Sequence, residues 1–164
     1  MGDAMGPLKT VPAFQDYLAT LDDKPIMGVL IGTGLTMLIL SSAAMIGILL
    51  GLYAGHLFDL RGSIPILLGS NIDTCITAVL AAIDSNIAAK RVAGAHVLFN
   101  VVVTVLFMIL LVPFTSLMQW MEVHFKLTPA MSVAFAHGTF NITNTILLFP
   151  FIGTLAFVVT KLIP

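Results

Sequence analysis

Gly69-Ser70-Asn71-Ile72-Asp73-Thr74-Cys75-Ile76-Thr77 is a polar block inside sequence that is otherwise apolar enough for a lipid bilayer. A carboxylate, an amide and several hydroxyls at such depth mark a path for something polar, because buried ionisable groups in membranes face cavities or partners. Outward from this block, the runs 25–58, 92–121 and 127–160 contain no Asp, Glu, Lys or Arg. Each exceeds the roughly 20 residues that cross a hydrocarbon core. Two glycine- and serine-bearing segments, 32–44 and 69–77, break the apolar runs as interrupted or re-entrant membrane helices do.

Composition agrees. Hydrophobic residues make up 59% of 164 positions and charged ones 9%, with a mean hydropathy of +1.07, whereas soluble domains carry about 25% charged residues. The chain reads as an all-α integral membrane protein. Formal net charge is −1 and the largest basic cluster is Lys90-Arg91, which argues against nucleic-acid binding. A single cysteine, Cys75, excludes an internal disulfide and a metal site built from several thiolates. Residues 1–23 are mixed and polar, without the basic start, apolar core and cleavage site of a secretory signal.

In chain order, residues 1–25 form a polar N-terminal segment in which Phe14, Tyr17, Leu18 and Leu21 share a helical face, a pattern for a helix lying on the membrane surface. The transmembrane domain spans 26–163. Its first run is too long for one crossing and carries the small polar break Ser41-Ser42, so 26–56 is expected to be a hairpin of two helical arms. Ala43, Gly47, Gly51 and Gly55, four apart, predict a close-packing face on the second arm. An interrupted helix follows over 64–83, its break expected at Gly69-Ser70-Asn71. Asp84-Ser85-Asn86 offers caps for the next crossing, a helix over 88–112 that ends at Pro113. Residues 115–126, with Trp120 beside Glu122, His124 and Lys126, read as an interfacial connector. Helices over 128–163 complete the chain, kinked or divided at Pro150 and Gly153.

The chain also echoes itself. Ala95-His96-Val97-Leu98-Phe99-Asn100 returns as Ala136-His137-Gly138-Thr139-Phe140-Asn141, with Thr104 and Thr145 at the same offset. His, Asn and Thr four residues apart build one polar stripe on a helix. Two such stripes can join helices or line a shared cavity. A metal site on His96 and His137 lacks a carboxylate or third histidine.

The runs 64–74 and 88–100, with the second Ala-His-x-x-Phe-Asn element, resemble the bacterial sodium/phosphate cotransporter family of type II. The resemblance implies one half of an inverted-repeat transporter, the second repeat, with a re-entrant helical hairpin and a discontinuous helix that together hold sodium and phosphate. It also implies sodium-dependent phosphate symport as the activity, a bacterial plasma (inner) membrane as the location and sodium as the coupling ion, with no other cofactor. The missing half is expected as an N-terminal repeat, a second copy or a partner subunit.

Resemblance and residue chemistry together place the substrate and ion site on Ser41, Ser42, Asn71, Asp73, Thr74 and Thr77, and the spacing of His96, Asn100, His137 and Asn141 predicts stripes that line a cavity or join helices. Two departures stand out. Where the family has Gln-Ser-Ser-Ser this chain has Leu40-Ser41-Ser42-Ala43, and where it has Gly-Thr-Thr this chain has Asp73-Thr74-Cys75.

Elementary chemistry supports part of that site. Sodium needs hard oxygens, which backbone carbonyls and the hydroxyls of Thr74 and Thr77 supply, while phosphate needs the donors of a helix N-terminus near Ser41 and Ser42. Those serines have an alternative reading as packing or back-bonding residues. An intramembrane carboxylate costs roughly 2.5 to 3.5 kcal/mol, so Asp73 either handles a cation or proton or caps the resumed helix. The competing class is a non-transporting membrane subunit, a degenerate repeat packed on a partner. An enzyme is not expected, because Ser42, His96 or His137 and Asp73 lie in separate segments without a nucleophile motif.

Overall fold

The computed structural model describes residues 11, 12, 16, 20, 21 and 23–164, and all regular structure among them is helical. The elements are α1 (Pro25–Ile39), α2 (Ser42–Ala54), α3 (Leu60–Asp73), α4 (Ile76–Ala82), α5 (Ile87–Ile109), α6 (Leu111–His124), α7 (Pro129–Leu148) and α8 (Ile152–Leu162). Three segments are long and apolar enough to cross a membrane, Leu60–Ala82, Ile87–Ile109 and Pro129–Leu162. Phe14, Tyr17 and Leu18, on which the expected surface helix rests, lie outside the described residues. Leu21 is described and belongs to the core.

Two helices, α1 and α2, meet at Leu40-Ser41. Leu40 ends α1 in the left-handed region at φ 54, Ser41 is extended at φ −151, and α2 begins at once. The arms hold 15 and 13 residues, about 22 and 20 Å at the helical rise. Both fall short of the roughly 30 Å hydrocarbon core.

The core is built around α3, which buries every residue from Gly62 to Asn71. Its closest neighbour is α1, whose buried residues Gly28, Gly32 and Thr36 stand four apart on one face. A methyl at Gly28 would meet Pro65 Cβ at 2.8 Å, one at Gly32 would fall on the Ile66 carbonyl, and one at Gly69 on the Val29 carbonyl. Three missing side chains therefore let two backbones touch. On the small-residue face of the second arm Ala43 is exposed, Gly47 and Gly55 are half-buried and Gly51 is buried, and α2 meets the core with Met45, Leu49 and Leu52.

The contact of α1 with α3 also moves the helix break. Gly69-Ser70-Asn71 is continuous α-helix, and the interruption falls at Thr74-Cys75. Gly69 has a packing role, with its backbone in the helix and its open side against α1. The break itself is a tightened turn with both residues in right-handed conformation, Cys75 N donating to the Ile72 carbonyl at 3.3 Å.

Asn86 caps α5 by accepting from Ala89 N at 2.9 Å. Helix α5 ends at Ile109, and α6 begins at Leu111 with Pro113 in its first turn, where a missing N–H costs nothing. The expected connector is thus mostly helix, holding its buried residues Phe114, Thr115 and Met118 against the core. Phe107 packs edge-on to Phe114 and Phe140, with centroids 4.9 and 4.8 Å apart. Pro150 sits in a 3₁₀ turn, Phe149–Phe151, between α7 and α8. Helix α8 returns to α5, where Arg91 Nε donates to the Ile163 carbonyl at 3.0 Å.

Candidate functional site

The hairpin tip and the helix break meet. Leu40, Ser41, Ser42 and Ala43 from the tip, with Asp73, Thr74 and Thr77 from the break, line one cavity of about 250 Å³. Liquid water occupies about 30 Å³ per molecule, so the space admits an oxyanion together with an ion. Five of the six residues expected to bind substrate or ion converge here from segments 30 residues apart in sequence. Asn71 does not line the cavity; it is buried, with Nδ2 donating to the Leu67 carbonyl at 3.0 Å.

The two walls differ in chemistry. On the tip side, Ser41 caps α2: its Oγ accepts from Ala44 N at 3.2 Å, and its carbonyl accepts from Met45 N at 3.1 Å. The first amides of a helix have no intrahelical acceptor, and the two residues that open α2, Ser42 and Ala43, both line the cavity. This wall is rich in donors and carries the positive end of the α2 dipole.

The opposite wall is rich in acceptors. Asp73 is 3% exposed, and its Oδ1 is enclosed without a hydrogen-bond partner among the described residues. It stands in the last turn of α3, not at the start of the resumed helix. The residue preceding α4 is Cys75, which makes no side-chain cap, so the capping reading of Asp73 does not hold. Thr74 Oγ1 donates to the Asn71 carbonyl at 2.7 Å, which leaves its lone pairs free to accept. Thr77 is exposed.

Polar contacts from α5 fix the break. Asn100 Nδ2 donates to Cys75 Sγ at 3.2 Å and to the His96 carbonyl at 3.0 Å, and Cys75 Sγ donates to that same carbonyl at 3.4 Å. Thr104 Oγ1 donates to the Leu68 carbonyl at 3.4 Å. The first stripe therefore joins α5 to the α3–α4 break through Asn100 and Thr104, with the His96 side chain exposed. The second stripe takes another course. Asn141 Nδ2 donates to the His137 carbonyl at 2.9 Å and Thr145 Oγ1 to the Asn141 carbonyl at 2.9 Å, both on the exposed side of α7. No hydrogen bond links the two stripes among the described residues.

Sequence reasoning missed Thr33 and Thr36. Thr33 Oγ1 donates to the Val29 carbonyl at 2.9 Å and to the Gly69 carbonyl at 3.0 Å, and Thr36 Oγ1 donates to the Gly32 carbonyl at 2.7 Å. The spacing of Gly28, Gly32 and Thr36 was the available signal. Among the described residues no group of three or more His, Cys, Asp or Glu gathers.

Comparison with known proteins follows the same lines. A family model described as Na+/Pi-cotransporter matches residues 8–128. The chain is 35% identical over 97% of its length to the uncharacterized protein YqeW of Bacillus subtilis, of which it covers 50%. Over 45% of its length it is 40% identical to sodium-dependent phosphate transport protein 2C of Mus musculus, covering 13% of that protein. Over 50% of its length it is 32% identical to sodium-dependent phosphate transport protein 2B of Homo sapiens, again covering 13%. The chain thus spans half or less of each of these relatives. No solved structure matches it.

Proposed function

Since this chain belongs to the Na+/Pi-cotransporter family, we propose that it carries one half of a sodium-dependent phosphate site in a membrane transporter. The observation that carries the reading is the two-sided cavity, with the first residues of α2 on one wall and the buried residue Asp73 on the other. Phosphate docks against the Ser42 and Ala43 amides and the Ser42 hydroxyl. The coupling cation sits against Asp73 and the hydroxyl oxygens of Thr74 and Thr77.

This arrangement makes binding of the two ions interdependent. An ionised carboxylate in the same cavity repels phosphate, with an energy that grows as water is excluded. A cation on Asp73 cancels that repulsion, so the anion binds best after the cation. Asp73, where the family pattern has glycine, thereby adds a coupling charge that the other ligands do not provide.

The hairpin is re-entrant in this reading. Asp73 lies 13 positions beyond Leu60 in the 23-residue segment Leu60–Ala82, about 20 Å along it. The tip that shares its cavity therefore ends inside the bilayer, and the two short arms enter and leave on the side of Leu60. Irregular backbone at that depth is tolerated where it lines a polar cavity. The remaining ligands come from a matching half, supplied by an N-terminal repeat, a second copy or a partner in the bacterial inner membrane.

Uptake of labelled phosphate by cells expressing the chain in its native genetic context tests the reading. Accumulation driven by an inward sodium gradient, and lost when choline replaces sodium, is expected. Uptake indifferent to expression of the chain would overturn it.

A further inference from the structure

A second polar cavity, of about 540 Å³, lies at the other end of α3. Its polar wall holds Asp23, Asp59, Arg61, Thr115, Ser116 and Gln119, and its other wall is apolar, with Met108, Ile109 and Val112. The ends of two crossings define its depth. Leu60 begins one membrane-length segment and Ile109 ends another, so the cavity sits at a bilayer boundary. Ile109 and Val112 are 74% and 69% exposed and continue the apolar wall toward the lipid.

Two features are unfavourable without a ligand. Arg61 stands in the first turn of α3, where the helix dipole disfavours a cation. Thr115 is 5% exposed, yet its Oγ1 has no partner among the described residues, and an unmade buried hydrogen bond is costly. Asp59 spends one oxygen on capping, accepting from Leu60 N at 2.6 Å through Oδ1. Its second oxygen is available.

We propose that this cavity binds the head group of a zwitterionic phospholipid bearing a primary amine. The phosphodiester meets Arg61 and, after a change of side-chain rotamer, the Thr115 hydroxyl. The ammonium donates to Asp23 and Asp59, and an acyl chain runs down over Ile109 and Val112. A free phosphate fits worse, because both carboxylates would repel it and the apolar wall would stay uncovered. An anionic lipid leaves the carboxylates unmatched, and a choline head group has no N–H to give them.

Native mass spectrometry of the detergent-purified full chain, titrated separately with phosphatidylethanolamine, phosphatidylcholine and phosphatidylglycerol, tests this. Phosphatidylethanolamine is expected to remain bound at one per chain and at least about tenfold more tightly than the other two, a difference of about 1.4 kcal/mol. Arg61→Gln removes the partner of the phosphodiester that all three lipids share, and is expected to weaken retention of all three. Asp59→Asn keeps the capping oxygen, so the fold persists, and is expected to bring phosphatidylethanolamine down to the level of phosphatidylcholine. Equal retention of all three lipids, displacement of lipid by inorganic phosphate, or retention unchanged in both variants would overturn the proposal.

Discussion

Thr33 Oγ1 reaches across the crossing of α1 and α3 to the Gly69 carbonyl at 3.0 Å. The bond exists only because Gly28, Gly32 and Gly69 bring the two backbones into contact. It ties the first arm of the hairpin to the helix that ends at Asp73, and so sets the distance between the two walls of the candidate site.

The glycine contact is therefore expected to be intolerant of a single methyl. Gly32→Ala drives a Cβ into the Ile66 carbonyl, and backbone cannot step aside as a side chain does. Overpacking of this kind costs about 1 to 3 kcal/mol. Gly34 has nothing within 4 Å of its would-be Cβ, so Gly34→Ala serves as the control. Thermal unfolding in detergent should show a lowered midpoint for the first variant and an unchanged or raised one for the second.

Leu40 adopts φ 54, a conformation that costs a side-chain-bearing residue roughly 1 to 2 kcal/mol. Leu40→Gly removes the penalty and is expected to raise the unfolding midpoint, though part of the gain is offset by the greater freedom of an unfolded glycine. A lowered midpoint would mean that the Leu40 side chain contributes packing that its 60% exposure does not reveal.

Asn100 holds the break. Asn100→Leu removes the donor to Cys75 Sγ and to the His96 carbonyl, and is expected to destabilise by about 1 to 3 kcal/mol because a buried polar group loses its partner. Cys75→Ser keeps both a donor and an acceptor in place and should cost less. Equal losses in the two variants would show that volume, and not hydrogen bonding, fixes the turn.

Asp73→Asn tests the coupling charge. The amide keeps the shape and removes both the repulsion of phosphate and the attraction of a cation. Phosphate affinity is expected to lose its dependence on sodium while phosphate still binds. Sodium dependence equal to that of the unaltered chain would place the cation elsewhere.

Much of this was legible in the sequence. Charge-free runs longer than a bilayer gave the membrane class, and Ser41-Ser42 inside an overlong run gave the hairpin. The meeting of Ser41, Ser42, Asp73, Thr74 and Thr77 was expected from a resemblance, and local patterning alone would not have found it. The position of the helix break was not legible. Gly69 serves equally well to interrupt a helix and to admit a neighbouring backbone, and the outcome depends on α1, some 40 residues earlier in the chain. The turn at Thr74-Cys75 has no local signal either, since its partners are Asn100 and His96 on α5. The paired His-Asn-Thr stripes looked equivalent, yet one joins helices and the other lies on an exposed face. Burial is decided by what packs opposite.

The most direct test of the two-sided site is equilibrium binding of labelled phosphate to membranes of cells expressing the chain in its native genetic context, in sodium chloride and in choline chloride, beside the variant Ser42→Pro. Ser42 is the first residue of α2 and Ser41 is extended, so proline is compatible with the fold there while it removes one amide and one hydroxyl. The account predicts saturable binding that is strengthened by sodium and weakened by at least about tenfold in the variant, a difference of about 1.4 kcal/mol. Phosphate binding of equal strength in Ser42→Pro, or no saturable binding in either salt, would contradict it.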